Sequence, residues 1–288
     1  MKTVGLVLEG GGMRGSYTLG ILDVMLEKGI FFPYIIGVSA GACNAASYAS
    51  RQHGRGQHIQ ETYITDPRYL SWRNLLTGER ALYGMNFIFD TIPAELVPFD
   101  FDAYYAKNMH NVVVLTDVET GCAVYAENPP RETYNTYLRA SSSIPMFAPV
   151  VKVDGHRYLD GGLADAIPYR EALRHCEKVV VIRTRQTDYV MQPLPCKPLY
   201  HAALCCYPKL IQACHTRHDR YNAQHAALRE LEAQGRAFTF YPDEMHVTIV
   251  EKDPANLHAI YEQGRRHALE RLDELRAFLK DCNDLLPD

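Results

Sequence analysis

The sequence predicts an α/β protein, a parallel sheet with helices on its faces. Two adjacent units near the amino terminus carry that expectation: each is a β-branched apolar run, a turn of small residues and then a helix. Later runs, Asn111 to Asp117 and Lys178 to Arg183, are apolar without alternation, as strands covered on both faces are.

In order, Thr3 to Glu9 reads as a strand ending in glycines, and Ser16 to Lys28 as a helix with Leu19, Leu22 and Leu26 at helical spacing and Gly29 as its stop. Tyr34 to Val38 is the second strand and Ala40 to Ala49 the second helix. Between Glu61 and Tyr105 lie ten aromatic residues with no strand period and several Pro and Gly. That stretch reads either as an irregular layer on the sheet or as the lining of an apolar pocket. Asn111 to Asp117 and Cys122 to Glu127 are strands joined by a turn at Glu119 to Gly121, and Tyr158 to Asp160 is a short strand before a turn. The prolines between Tyr189 and Tyr207 predict a loop leading into a short helix, either a lid or a surface crossover. A helix over Asp219 to Gln234, strands at Ala237 to Tyr241 and His246 to Val250, and a final helix from Pro254 complete the chain. The last helix carries an apolar stripe from Leu257 to Leu279 that is broken only at Gly264.

The 288 residues are 47% hydrophobic, enough for one large or two small domains with a buried core, and this excludes a disordered chain. With 30 Lys and Arg against 34 Asp and Glu the net charge is -4, which argues against a nucleic-acid partner. No apolar run approaches the ~20 residues of a membrane span, and Glu9 and the glycines interrupt the amino-terminal run before it could act as a secretion signal. The expected location is therefore cytoplasmic. Eight cysteines, without a CxxC pair or zinc-ribbon spacing, predict reduced thiols and no metal site.

Three motifs carry chemistry. Gly10-Gly11-Gly12-Met13-Arg14-Gly15 lies between a strand and a helix and satisfies GxGxxG, but the next strand does not end in the acidic residue a dinucleotide fold needs. It ends in Gly37-Val38-Ser39-Ala40-Gly41, which is GxSxG at a strand-to-helix turn, where a nucleophile elbow exposes its serine. Composition alone gives roughly 0.03 such pentapeptides by chance, so an incidental serine is disfavoured. Acyl transfer needs fixed N–H donors around the developing oxyanion, and a glycine loop on the neighbouring strand can supply them. Gly11, Gly12 and Met13 are the expected donors, with Arg14 fixing the loop and Glu9 pairing with Arg14. The third motif is Asp160-Gly161-Gly162, which is either the base or a structural turn. None of the twelve histidines stands in a triad context, although a His-dependent triad remains a competing reading.

Together, the glycine loop Gly10 to Gly15, GxSxG at Ser39, the stretch Ala140-Ser141-Ser142-Ser143-Ile144-Pro145 and Asp160-Gly161-Gly162 resemble the patatin-like phospholipase family, over Thr3 to about Pro168. Beyond Thr184 the chain is similar only to the family's bacterial branch. The resemblance implies a three-layer α/β/α fold and a Ser-Asp dyad without a catalytic histidine, with Ser39 the nucleophile and Asp160 the base. Gly10, Arg14, Gly15, Gly37, Gly41, Gly161 and Gly162 would then support the site. It implies a core over 1–184, containing the aromatic insertion 51–110, and an extension over 185–288 packed on the same domain. The implied activity is hydrolysis of fatty-acyl esters or phospholipids without a cofactor, with peripheral contact at the inner membrane surface. A lipid-binding or regulatory module on the same fold is the alternative from a different class.

Overall fold

The computed structural model describes residues 3–106, 109–195 and 197–280. Eight strands form one sheet: β1 (Val4–Leu8), β2 (Tyr34–Val38), β3 (His110–Asp117), β4 (Ala123–Glu127), β5 (Val151–Val153), β6 (His156–Asp160), β7 (Lys178–Ile182) and β8 (Ala237–Phe240). Their order is β5-β6-β3-β2-β1-β7-β8, with β4 also paired to β3. The central pairings β3-β2, β2-β1, β1-β7 and β7-β8 are parallel, whereas β4, β5 and β6 join antiparallel.

Alternation along the strands separates two cores. Leu6, Leu8, Ile35, Val180 and Ile182 face one layer, which holds α1 (Ser16–Glu27), α2 (Ala40–Ala49) and α3 (Arg55–Tyr63). The aromatic segment packs on the same side, through a π-helical stretch Phe87–Leu96 and the short α4 (Phe101–Tyr105), as does α5 (Tyr134–Ser141). Val7, Ile36, Val38, Val179 and Val181 face the other layer, which is built on α6 (Tyr169–His175) and, beyond α7 (Lys197–Ala203) and α8 (Pro208–His215), on α9 (Arg217–Ala233). α10 (Pro254–Glu270) and α11 (Leu272–Leu279) return to the first layer.

The sheet and its flanking helices therefore follow the predicted pattern, with two departures. His246 to Val250 forms no strand but an irregular connection from β8 to α10. The final helix is two, interrupted at Arg271, whose guanidinium donates to the Thr239 carbonyl (2.7 Å) at the sheet edge. Cys196 and Cys282 lie outside the described residues, and the other six cysteines are free thiols.

The break in the apolar stripe at Gly264 is a point of contact. α10 crosses α1 so closely that a methyl group on Gly264 would strike the Tyr17 carbonyl, and one on Gly20 would strike that of Tyr261. Alanine in a helix is favoured over glycine by about 1 kcal/mol, but overpacking against backbone costs about 1–3 kcal/mol. Gly264→Ala should therefore lower the midpoint of thermal unfolding despite its better helix propensity; an unchanged or raised midpoint would show that the two helices can separate freely.

Candidate active site

Ser39 stands between β2 and α2 with φ 55° and ψ -125°, a conformation costing on the order of 1–3 kcal/mol for a residue with a side chain. The turn is held from both sides. The Ser39 N–H donates to Ser141 Oγ (2.8 Å), and that hydroxyl donates onward to the Val114 carbonyl of β3 (2.7 Å). Gly41 leaves room for the Leu8 carbonyl at the end of β1, where a Cβ would collide. The elbow is thus fitted against the end of β1 and tied through Ser141 to the middle of β3.

Asp160 reaches the same place through β-sheet register. A strand has two edges, and β4 takes one edge of β3 from Val112 to Thr116. On the other edge β2 pairs parallel until Val38 stands opposite Val114, and β6 takes over with Asp160 opposite Leu115. The carboxylate therefore follows directly in line from the end of β2, where the elbow begins. The Asp160 N–H donates to the Ser143 carbonyl (2.8 Å) and its own carbonyl accepts from Thr116 Oγ1 (2.8 Å). One short segment, Ser141 to Ser143, consequently holds both the Ser39 and the Asp160 backbone; in the sequence it stood out only as part of the family resemblance.

Ser39 and Asp160 are 6% and 7% exposed. Burial pushes the Asp160 carboxyl above the usual carboxylate range, partly offset by hydrogen bonds from the Ser39 hydroxyl and the Gly162 N–H and by the charge of Arg217. The Gly162 bond is 2.7 Å long. A raised carboxyl is a stronger base once ionised, as proton abstraction from a serine requires. Among the described residues that line the two cavities at Ser39, the one histidine is His218, whose Nε2 lies 3.3 Å from Asp219.

The glycine loop crosses the mouth of the elbow. Gly12 has φ 57°, and a Cβ there would lie 2.6 Å from the Ile249 carbonyl. That carbonyl, on the irregular connection in place of the expected strand, accepts from the Met13 N–H (3.3 Å) and from the Tyr83 hydroxyl. Met13 can therefore donate to a substrate oxygen only if Ile249 moves aside, whereas the amides of Gly11 and Gly12 have no partner among the described residues. The side chain of Arg14 makes no hydrogen bond to the loop and instead lines a cavity, contrary to the structural role expected of it.

Glu9 does not pair with Arg14. Its carboxylate accepts from Arg183 Nε (2.9 Å), the Thr184 N–H (2.7 Å) and the Tyr221 hydroxyl (2.6 Å), while Thr184 Oγ1 donates to the Gly10 carbonyl (2.6 Å). Burial alone would raise the Glu9 carboxyl, but Arg183 and these hydrogen bonds hold it below its ordinary value. The partner was invisible to local reading because it lies 174 residues away.

Two cavities meet at Ser39. The first, about 160 Å³, is mainly apolar and is lined by Leu19, Ile59, Met85, Phe89, Phe99 and Leu138. The aromatic segment is thus both a layer over the sheet and the wall of a pocket. The second, about 340 Å³, is the more polar of the two: Asp160, Arg14, Arg185, Arg217 and His218 line it beside apolar residues such as Met191, Leu194 and Ile249. Among the described residues no group of three or more His, Cys, Asp or Glu could hold a metal ion, and no helix is long and apolar enough to cross a membrane.

Residues 6–173 match the family model described as patatin-like phospholipase, and residues 207–280 match a second described as a domain of unknown function (DUF6363). An uncharacterized protein, YjjU, of Escherichia coli is 32% identical over 202 residues, 66% of this chain and 54% of that one. An uncharacterized NTE family protein of Mycobacterium tuberculosis is 28% identical over 57% of this chain and 44% of its own length. A lysophospholipase, NTE1, of Eremothecium gossypii is 29% identical over 65% of this chain and 12% of its own. The chain thus spans about half, or less, of the length of these curated relatives.

Removing one partner of a buried ion pair typically costs about 3–5 kcal/mol. Glu9→Gln should destabilise the protein by about that amount at neutral pH, measured by denaturant unfolding. Because the folded carboxyl titrates below its unfolded value, its contribution is complete above the unfolded carboxylate range and is lost as pH falls through the folded value. The variant should therefore lose stability less steeply than wild type on acidification; equal stability and equal acid sensitivity would remove the pair from any structural role.

Proposed function

The chain belongs to the patatin-like phospholipase family, and from that premise we propose that it is a serine lipid acyl hydrolase using Ser39 as nucleophile and Asp160 as base. The observation that carries this reading is that Ser39, on a strained turn, and the buried Asp160 carboxylate line one cavity where it meets a second, apolar one. An acyl chain lies in the apolar chamber and the alcohol side of the ester in the polar one, so that the carbonyl carbon stands over Ser39. The lysophospholipase among the relatives supports a monoacyl phospholipid among the substrates.

The reaction follows from these groups. Asp160 takes the hydroxyl proton as Ser39 Oγ attacks the carbonyl, and the resulting oxyanion accepts from the Gly11 and Gly12 amides. The amino terminus of α2 adds a favourable field at the same oxygen. Collapse expels the alcohol, which takes the proton from Asp160, and leaves an acyl-Ser39 ester. Water, losing its proton to the same carboxylate, attacks that ester and releases the fatty acid.

Two experiments test the dyad. Intact mass after fluorophosphonate treatment should show one adduct on wild type and none on Ser39→Ala; Asp160→Asn should lose at least ~10³-fold in ester turnover while remaining folded, and His218→Ala should not. An adduct that persists in Ser39→Ala would assign the nucleophile elsewhere. The pH profile is a second check. Activity requires ionised Asp160, so kcat/KM should fall on acidification through an apparent pKa above the usual carboxylate range. Arg217→Gln removes a charge that favours the ionised form and should move this limb to higher pH; a limb that stays in place would uncouple Asp160 from it.

A further inference from the structure

The polar cavity is more basic than ester hydrolysis requires. Arg14, Arg185 and Arg217 all line it, none with a salt-bridge partner among the described residues. The Nε of Arg14 is buried without a hydrogen-bond partner, as is Nδ1 of His218. Arg217 spends its Nε on the Gly162 carbonyl (2.6 Å), which leaves the rest of its guanidinium for another acceptor. The carboxylates nearby are committed: Glu9 to Arg183, Tyr221 and Thr184, and Asp160 to Ser39 and Gly162. Burial, reinforced by the charge of Arg185 and only partly offset by that of Glu9, pushes the Arg14 guanidinium down to about 10. Three guanidiniums facing one catalytic carboxylate leave an excess of two positive charges, and such a cluster is stable when an anion completes it.

On the basis of the hydrolase reading above, we propose that this chamber binds a terminal phosphate monoester, so that the preferred substrates are acyl glycerophosphates with no alcohol or amine on the phosphate. Charge balance favours a dianion over the single charge of a phosphodiester. The aromatic faces argue the same way. A quaternary ammonium is held by an aromatic cage, yet Tyr189 already carries the Arg185 guanidinium at 4.1 Å and Tyr221 that of Arg183 at 5.4 Å. A choline headgroup would therefore meet cations where it needs open rings. Arg185 is the specificity determinant: it lies on the connection after β7 and bonds neither Ser39, Asp160 nor the glycine loop.

The test compares kcat/KM for three lipids with the same acyl chain: a monoacyl glycerophosphate, the corresponding lysophosphatidylcholine and the monoacylglycerol. Wild type should prefer the glycerophosphate by about tenfold or more, the usual consequence of one charge-assisted contact. Arg185→Gln should remove most of that preference, by lowering kcat/KM for the glycerophosphate far more than for the monoacylglycerol, with a thermal unfolding midpoint equal to that of wild type reporting that the variant is folded; Arg185→Lys should retain part of it. Inorganic phosphate should inhibit p-nitrophenyl butyrate hydrolysis competitively in wild type and more weakly in Arg185→Gln. Equal rates on the three lipids, or a preference that survives Arg185→Gln, overturns the proposal. Activation by phosphate in place of competition makes the anion an effector and also overturns the headgroup assignment. Failure of the hydrolase reading looks different: no fluorophosphonate adduct and no ester turnover. In that case calorimetric titration with inorganic phosphate decides whether the anion site exists, by binding to wild type that weakens in Arg185→Gln or by no binding at all.

Discussion

The ion pair between Glu9 and Arg183 holds together the end of the sheet that carries the glycine loop and the Ser39 turn. Arg183 is fully buried and divides its donors among Glu9, Tyr221 and His225, so that β1, β7 and α9 are tied at one point. Burying a charged pair is costly, and only complete hydrogen bonding offsets it. Here the Glu9 carboxylate accepts from three partners, one of them the backbone of Thr184. Because Glu9 immediately precedes Gly10, and Thr184 binds the Gly10 carbonyl, the conformation of the glycine loop is set by contacts from the far half of the chain. An acid beside a prospective oxyanion site would oppose negative charge there; fully neutralised by Arg183, it does not.

The proposed nucleophile and base depend on an equally indirect arrangement. Ser39 is strained and Asp160 is buried, and neither state would persist without support from outside its own turn. That support is the Ser141 to Ser143 segment, whose hydroxyl and carbonyl reach the two backbones, and the shared edge of β3, where one strand stops and another begins in register. The division of the surroundings into an apolar and a polar chamber follows from topology: the first is built by the aromatic segment and α3, the second by the connection after β7 and the start of α9.

Much of this was legible in the residues. The first two strand-turn-helix units appear where the apolar runs and glycines place them, because local periodicity and steric permissiveness suffice to define such units. The connection at His246 to Val250 was not legible: its β-branched residues read as a strand, yet the Ile249 carbonyl is taken by Met13 and Tyr83, and the segment pairs with no strand among the described residues. Glu9 and Arg14, five residues apart, suggested a pair, but burial brought a better-desolvated partner to the acid and turned the arginine toward the cavity.

The sequence by itself determined the elbow at Ser39, the glycine loop and the turn after Asp160, since each is a local conformation that demands particular small residues. It also determined that strands flanked by helices would stack into covered layers, because those runs have no polar face to leave in water. Only the tertiary structure decided that Asp160 enters in line with Ser39, that Arg183 answers Glu9, and that three arginines converge without acids to match them. These are long-range juxtapositions governed by strand register and by the energetics of burying charge, and no local pattern of residues encodes them.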